Sequence, residues 1–219
     1  MGARMYRDGA KVLSPPAIGL WADTKTAADT LLSGKSDVGF LYEVVATNSV
    51  LTMVVTGLET YLEQRFVELD DEGVPADFKS LAKNFLSKEE RDRLASGESL
   101  ALEDEAQALG TTPLRLLMQR INFQNYDRAK TAYNKGYGIK FGELPAPVTS
   151  KLLKELQAFI GYRHRIIHVS PLLGHLNASD ASPSEPVFAN QATARRAIST
   201  FDDFVATLHA TTLQLRPHH

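Results

Sequence analysis

The chain has 219 residues, of which 43% are hydrophobic and 23% are charged, and its formal net charge at pH 7 is −2. These values indicate an ordinary globular protein with one large domain or two small ones. Because the chain contains no cysteine, disulfides and thiolate sites are excluded, which fits the cytoplasm, the location we expect. We find neither a signal peptide nor an apolar stretch of membrane-spanning length, so we expect no membrane partner.

The first strong pattern along the chain begins at Phe40. Apolar residues recur at intervals of three and four up to Leu69, which predicts one long amphipathic helix that ends at the turn 70–75. Residues 1–36 are predicted to be a partly irregular N-terminal extension. Residues 37–219 are predicted to form a single helical domain.

Shorter helices follow in the middle of the chain. We predict them at residues 76–85, after Ser87, at 100–109, at 114–121 and at 126–133. Ser87 and Glu90 have the spacing of a capping box, and Pro113 suits the first position of a helix. The spacing of the glycines in segment 136–142 does not fit a dinucleotide-binding fingerprint, so we interpret them as turn residues.

The last third of the chain continues the helical pattern. A helix is predicted from Pro147 to about Val169, then a long polar loop at 171–188 that is either functional or disordered, then a final helix from Gln191 to Leu215. We find no internal repeat, no convincing strand pair and no domain linker. The sequence therefore predicts an all-α helical bundle whose core consists of the helices that begin at Phe40, Pro147 and Gln191.

Charge is unevenly distributed along the chain. Residues 59–106 carry fourteen acidic and six basic side chains, whereas residues 111–170 carry ten lysines or arginines and three acidic residues. Two solvated faces are the usual explanation of such runs, and an electropositive groove that binds phosphates is the alternative. Tyr133, Tyr137 and Phe141 lie among lysines, where they either stack on unpaired bases or pack in the core.

The segment from Arg163 to His168 has the most unusual chemistry. It places an arginine and two histidines, His164 and His168, within a turn and a half of a predicted helix. Arg163 falls inside the apolar arc of that helix, so its guanidinium must find a carboxylate, a backbone acceptor or a bound anion. The two histidines also have the spacing of metal ligands, but no third ligand is evident, and we expect no metal.

Arg163 and His168, separated by four residues, match the Arg-x4-6-His signature of the HEPN superfamily (higher eukaryotes and prokaryotes nucleotide-binding). Residues 58–62 resemble the Glu-x-Tyr-Leu element of defence-associated members, and residues 121–126 with 137–141 resemble their middle segment. In order, these elements cover roughly residues 40–215. The resemblance implies a helical bundle of the HEPN type, many of whose members are metal-independent ribonucleases.

The chain departs from the family pattern at two positions. Many members have asparagine after the motif arginine, where this chain has His164. The HEPN partners of nucleotidyltransferase antitoxins usually carry a tyrosine two residues after the histidine, where this chain has Ser170. We therefore do not expect regulation by adenylylation at this position.

In the family, two protomers place their motif helices side by side and share one site. The resemblance thus implies a homodimer that cleaves RNA, with Arg163 and His168 of both copies at one scissile phosphate. Arg163 would bind the phosphate and His168 would transfer protons. His164 would orient or assist, and Glu59 would pair with Arg163 and hold its guanidinium.

The expected role is that of a toxin or antiviral defence effector without a cofactor, with an antitoxin or sensor protein as a further partner. The alternative is a catalytically inactive HEPN bundle that binds RNA or nucleotide, or serves as a dimerisation module. In that case, Arg163 and Glu59 form only a structural ion pair, and the histidines compensate the helix dipole. Glu59 is otherwise expected to be a solvated residue on the flank of its helix.

Overall fold

The computed structural model describes residues 3–7, 10–13, 16–33, 39–96, 101–168 and 190–215. These ranges contain nine α-helices: α1 (Ala17–Leu32), α2 (Phe40–Asp71), α3 (Phe78–Phe85), α4 (Lys88–Ser96), α5 (Ala101–Ala108), α6 (Pro113–Gln119), α7 (Tyr126–Tyr137), α8 (Ser150–His168) and α9 (Gln191–Leu213). One turn of 3-10 helix, Phe141–Glu143, lies between α7 and α8. The predicted all-α helical bundle is confirmed. The predicted loop at 171–188 lies outside the described residues.

A short β-hairpin precedes the helices. β1 (Ala3–Arg7) pairs antiparallel with β2 (Ala10–Leu13), and Tyr6 lies opposite Lys11. This hairpin differs from the prediction, which contained no strand pair. The sequence signal for it is the dipeptide Asp8-Gly9 between the two strands, because Asp-Gly favours tight hairpin connections.

Helix α1 corrects the predicted N-terminal extension. Its residues Ala17, Trp21, Ala28 and Leu32 are almost completely buried, and the helix packs against α2 and α9. Residues 17–32 therefore form a helix of the bundle, although the sequence placed them in a partly irregular extension that ends at residue 36. The apolar pattern of α1 is weak because half of its buried positions are alanines, although their spacing is helical.

Helix α2 is the central element of the bundle. It has 32 residues, begins at the predicted Phe40 and packs against α1, α8 and α9. At Gly57, α1 comes so close that an added Cβ would collide with the side chain of Thr24. Farther along, the ring of Phe66 contacts those of Tyr133 and Tyr137 of α7 in edge-to-face geometry. The long helix thus organises the core along its whole length.

Local capping signals place several helix ends as predicted. The N–H of Ser87 donates to the Glu90 carboxylate (2.9 Å), and the N–H of Glu90 donates to the Ser87 hydroxyl (3.3 Å). This reciprocal pair confirms the capping box before α4. Pro113 is the first residue of α6, and the side chain of Thr112 accepts a hydrogen bond as its N-cap.

Helix α8 begins three residues later than predicted. The sequence placed its start at Pro147, whereas the helix starts at Ser150. The Thr149 hydroxyl accepts a hydrogen bond from the N–H of Leu152 (3.2 Å), which is the geometry of an N-cap. This cap, and not the proline, therefore fixes the start of the helix.

A buried arginine ties α2 to α9. The side chain of Arg65 is 1% exposed; its Nη1 donates to Glu68 (3.0 Å) and Glu72 (2.7 Å), and its Nη2 donates to Glu72 (2.9 Å). Its Nε donates to the hydroxyl of Thr212 in α9 (2.8 Å). Glu68 also accepts a hydrogen bond from the backbone N–H of Ala17, at the start of α1. All three guanidinium nitrogens are thus engaged, and three helices are joined.

We predict that Arg65→Ala lowers the free energy of unfolding by about 3 kcal/mol, because breaking a buried ion pair leaves its partners without compensation. Urea denaturation at neutral pH measures the change. Arg93→Ala, at an exposed position of α4, is the matched control and should change the free energy by less than about 0.5 kcal/mol. Equal stability of the two variants would contradict the structural role of Arg65.

Candidate active site

Helix α8 carries the backbone of the predicted motif. Leu156 and Phe159 are buried and anchor the helix on the core, and Arg163 follows one turn later. The side chain of Arg163 is 23% exposed, so it lies at the edge of the core. The helix continues through His164 and His168, whose side chains lie outside the part of the structure that is described.

The partner of Arg163 is Glu59 of α2. Nη1 of Arg163 lies 3.5 Å from Oε1 of Glu59, which forms an ion pair between the two helices. The expected pairing is therefore present, and Glu59 is buried rather than solvated, with 11% of its side chain exposed. Within the described residues, neither Oε1 of Glu59 nor Nε of Arg163 has a hydrogen-bond partner. Arg163 and Glu59 therefore interact by charge attraction without a hydrogen bond from Nε of Arg163 or to Oε1 of Glu59 in this part of the structure.

The protonation of Glu59 depends on two opposing effects. Burial raises the pKa of its carboxyl, the guanidinium of Arg163 lowers it, and the effect of burial prevails. Since the folded state favours the protonated carboxyl, this contribution to stability is full below the ordinary pKa of 4.5 and is lost as pH rises through the folded-state pKa. At neutral pH, Arg163 is the cation that makes a buried carboxylate tolerable.

A groove opens beside Glu59, between α2 and the connection from α6 to α7. We call it the loop groove, and its volume is about 280 Å³. Its lining residues are Thr56, Glu59, Thr60, Glu63, Ile121, Asn122, Phe123 and Gln124. Most of these side chains are polar, so the groove suits a small polar ligand.

A second groove, which we call the helix groove, lies between α1, α2 and the end of α8 and has a volume of about 630 Å³. Its lining is largely apolar and includes Val45, which is 46% exposed, and Asn48, which is 4% exposed. In the described ranges, both polar side-chain atoms of Asn48 are without a hydrogen-bond partner. The two grooves share Thr56 and Thr60, which flank Glu59 in the sequence.

The structure shows whether the aromatic residues Tyr133, Tyr137 and Phe141 pack in the core or are exposed to a ligand. Tyr133 and Phe141 are completely buried and Tyr137 is 9% exposed. The hydroxyl of Tyr133 donates to the backbone carbonyl of Leu62 (2.8 Å), and that of Tyr137 donates to the carbonyl of Phe66 (3.4 Å). These rings pack in the core, so the hypothesis that they stack on bases is wrong.

The acidic and basic segments of the chain partly neutralise each other. Arg115 pairs with Asp70 and Asp71 at the end of α2, and Arg120 pairs with Glu90 of α4. Together with the Arg163 pair, three arginines of the basic segment therefore face carboxylates of the acidic one. Arg115 and Arg120 are thus used within the fold and do not contribute to an electropositive groove.

The described residues contain no group of three or more histidine, aspartate or glutamate side chains that could hold a metal ion. None of the helices in the described ranges is long and apolar enough to cross a membrane. Comparison with protein families, curated proteins and solved structures finds no match for this chain.

Several residues of this region were not anticipated from the sequence. Thr56, Thr60 and Glu63 form an exposed polar stripe on α2, and Gln124 faces them across the loop groove. The available signal was the recurrence of small or charged residues at helical spacing within an otherwise apolar helix. Such a stripe marks where a core helix reaches the surface.

We predict that Arg163→Ala lowers the free energy of unfolding more at about pH 8 than at about pH 5. Without Arg163 the pKa of Glu59 rises further, so the variant loses more stability than the wild type as pH increases. In acid Glu59 is protonated in both proteins, and the difference in stability becomes smaller. Urea denaturation across this pH range measures the difference.

Two further variants make this test specific. Glu59→Gln introduced together with Arg163→Ala should abolish the added pH dependence, because the titrating group is gone. Lys154→Ala, at an exposed position of α8, should follow the wild-type profile. A pH profile of Arg163→Ala parallel to that of the wild type would show that the two charges do not interact.

Proposed function

We propose that this protein is a metal-independent endoribonuclease of the HEPN type, acting in the cytoplasm as a toxin or antiviral defence effector. The observation that carries the proposal is the ion pair between Arg163 and the buried Glu59 at the edge of an open groove. An arginine held in this way presents a fixed cation to a phosphate. The helix that supplies it also contains His164 and His168.

The proposed reaction needs only groups that the chain itself supplies. A base takes the proton of the 2′-hydroxyl, the 2′-oxygen forms a bond to phosphorus, and the bond from phosphorus to the 5′-oxygen breaks as an acid protonates it. The products are a 2′,3′-cyclic phosphate and a 5′-hydroxyl. Histidine is the side chain most often used as a general base and acid, so we assign both roles to His168, which His164 orients or assists.

Arg163 and Glu59 have different roles in this proposal. Arg163 stabilises the charge that develops on the phosphoryl oxygens, which is a large term in phosphate chemistry. Glu59 is a positioning residue, since its carboxylate holds the guanidinium at a fixed point between α2 and α8. It acts on the scissile phosphate through Arg163.

A homodimer belongs to the proposal because one copy supplies only one Arg163 and one His168. The helix groove supports it, since its apolar lining is continuous with the site and Val45 is exposed. A twofold homodimer would place this same apolar surface on both sides of the interface. An antitoxin or sensor protein is the expected regulator.

We predict that the purified protein cleaves single-stranded RNA in excess EDTA, and that Arg163→Ala and His168→Ala each reduce the rate at least about a hundredfold. Gel analysis of labelled RNA measures the rate, and circular dichroism verifies that the variants are folded. Gln157→Ala, at an exposed position of α8, should retain wild-type activity.

The outcome also separates the two candidate functions. Cleavage that persists in both variants would refute the assigned site. RNA binding without cleavage by the wild type would favour the catalytically inactive bundle.

We predict that Val45→Glu weakens self-association at least about tenfold and reduces cleavage in parallel, because it places an unpaired charge on the exposed apolar surface of the helix groove. Sedimentation velocity over a range of concentrations measures the association. Leu109→Glu is the matched control, since Leu109 is also an exposed apolar residue (64%) but does not line either groove. Unchanged mass and activity for Val45→Glu would exclude the helix groove as the dimer interface.

A further inference from the structure

The loop groove is a recess whose loop wall is held in place by hydrogen bonds. Ile121 and Phe123, each 5% exposed, lie at its apolar floor. Oδ1 of Asn122 accepts a hydrogen bond from the N–H of Gln124 (2.9 Å), which fixes the turn between these residues. Asn125 then caps α7 by accepting from the N–H of Arg128 (3.0 Å). The loop is therefore held from both ends, and the side chain of Gln124 is exposed at the rim.

The opposite wall comes from α2. Thr56, Thr60 and Glu63 are exposed there, and Glu59 lies between them with Oε1 buried and without a hydrogen-bond partner in the described residues. Because Glu59 is also the partner of Arg163, this wall adjoins the proposed phosphate position. A ligand in the loop groove would thus be next to the group that binds the scissile phosphate.

Size and chemistry limit what the groove can hold. Its volume of about 280 Å³ lies near the lower limit of small-molecule pockets, about 300 Å³, so it fits one nucleobase and not a stretch of RNA. An apolar floor with polar walls suits a flat ring whose edge carries hydrogen-bonding groups. Proteins that read single-stranded RNA bind unstacked bases through these edges.

We propose that the loop groove is the base-binding subsite of this nuclease, and that Glu63 selects a base with an exocyclic amino group over uracil. The inference rests on the proposed function. The carboxylate of Glu63 only accepts hydrogen bonds, so it pairs with the amino groups of adenine, cytosine or guanine. Uracil has no exocyclic amino group; its only donor on this edge is N3–H, and the carbonyl oxygens O2 and O4 on either side of it repel a carboxylate. Gln124, with a donor and an acceptor, contacts the same base from the loop.

The experiment compares cleavage of short single-stranded RNAs in which one position is varied among the four bases, with the products identified by sequencing. The wild type should cut next to uridine about tenfold less than next to the other three nucleosides. Glu63→Gln should reduce this discrimination at least about fivefold, because its amide can donate to a uracil carbonyl. Glu89→Gln removes an exposed carboxylate outside the groove and should leave the base preference unchanged.

The failure of this inference is distinguishable from that of the proposed function. If the wild type cuts RNA and Glu63→Gln retains its base preference, the subsite is refuted and the nuclease stands. If the wild type does not cut, calorimetric titration with the four nucleoside 5′-monophosphates decides the inference instead. Weaker binding of uridine monophosphate than of the other three, lost in Glu63→Gln, supports the subsite, and equal affinities in both proteins overturn it.

Discussion

Helix α2 is fixed in the bundle by the buried guanidinium of Arg65. This one side chain donates to Glu68 of its own helix, to Glu72 at the C-cap of that helix and to Thr212 of α9. Glu68 in the same network accepts a hydrogen bond from the first residue of α1. A buried arginine is tolerated only when its donors are satisfied, so the network permits a single register between these helices. That register also determines which residues of α2 reach the surface. Glu59, six residues before Arg65, is placed by the same constraint.

The two arginines that contact α2 differ in how completely they are satisfied. All three nitrogens of Arg65 donate hydrogen bonds within the fold, which leaves little capacity for a ligand. Among the described residues, Arg163 instead makes one ion pair, at 3.5 Å through Nη1, and 23% of its side chain is exposed. A phosphate offers oxygen acceptors in a geometry that a guanidinium fork matches. Of the two, only the partly exposed Arg163 is accessible to a ligand in the proposed site, whereas Arg65 is structural.

Local signals explain which parts of the fold could be predicted. The start of α2, the capping box at Ser87 and the first residue of α6 depend on neighbouring residues, which a sequence displays directly. The burial of α1 could not be recognised, because alanines carry much of its buried face. That Arg163 needs a carboxylate follows from its position on an apolar face, whereas no such pattern around Arg115 indicates its pairing with Asp70. The positions of the two grooves depend on which residues of α2 remain uncovered when the neighbouring helices pack on it. Tertiary packing determines this, so the sequence pattern alone did not predict the grooves.

In the proposed site, Glu59 and a phosphate would compete for the same guanidinium. A phosphate that approaches Arg163 repels the carboxylate and favours its protonation. Burial has already raised the pKa of Glu59, so proton uptake by this carboxyl requires less free energy than it would at an exposed glutamate. The guanidinium is then paired with the ligand, and the neutral carboxyl still lies beside it and keeps it in position. A buried acid is thus compatible with a site for an anion, whereas a fully ionised carboxylate of ordinary pKa at the same distance would oppose binding.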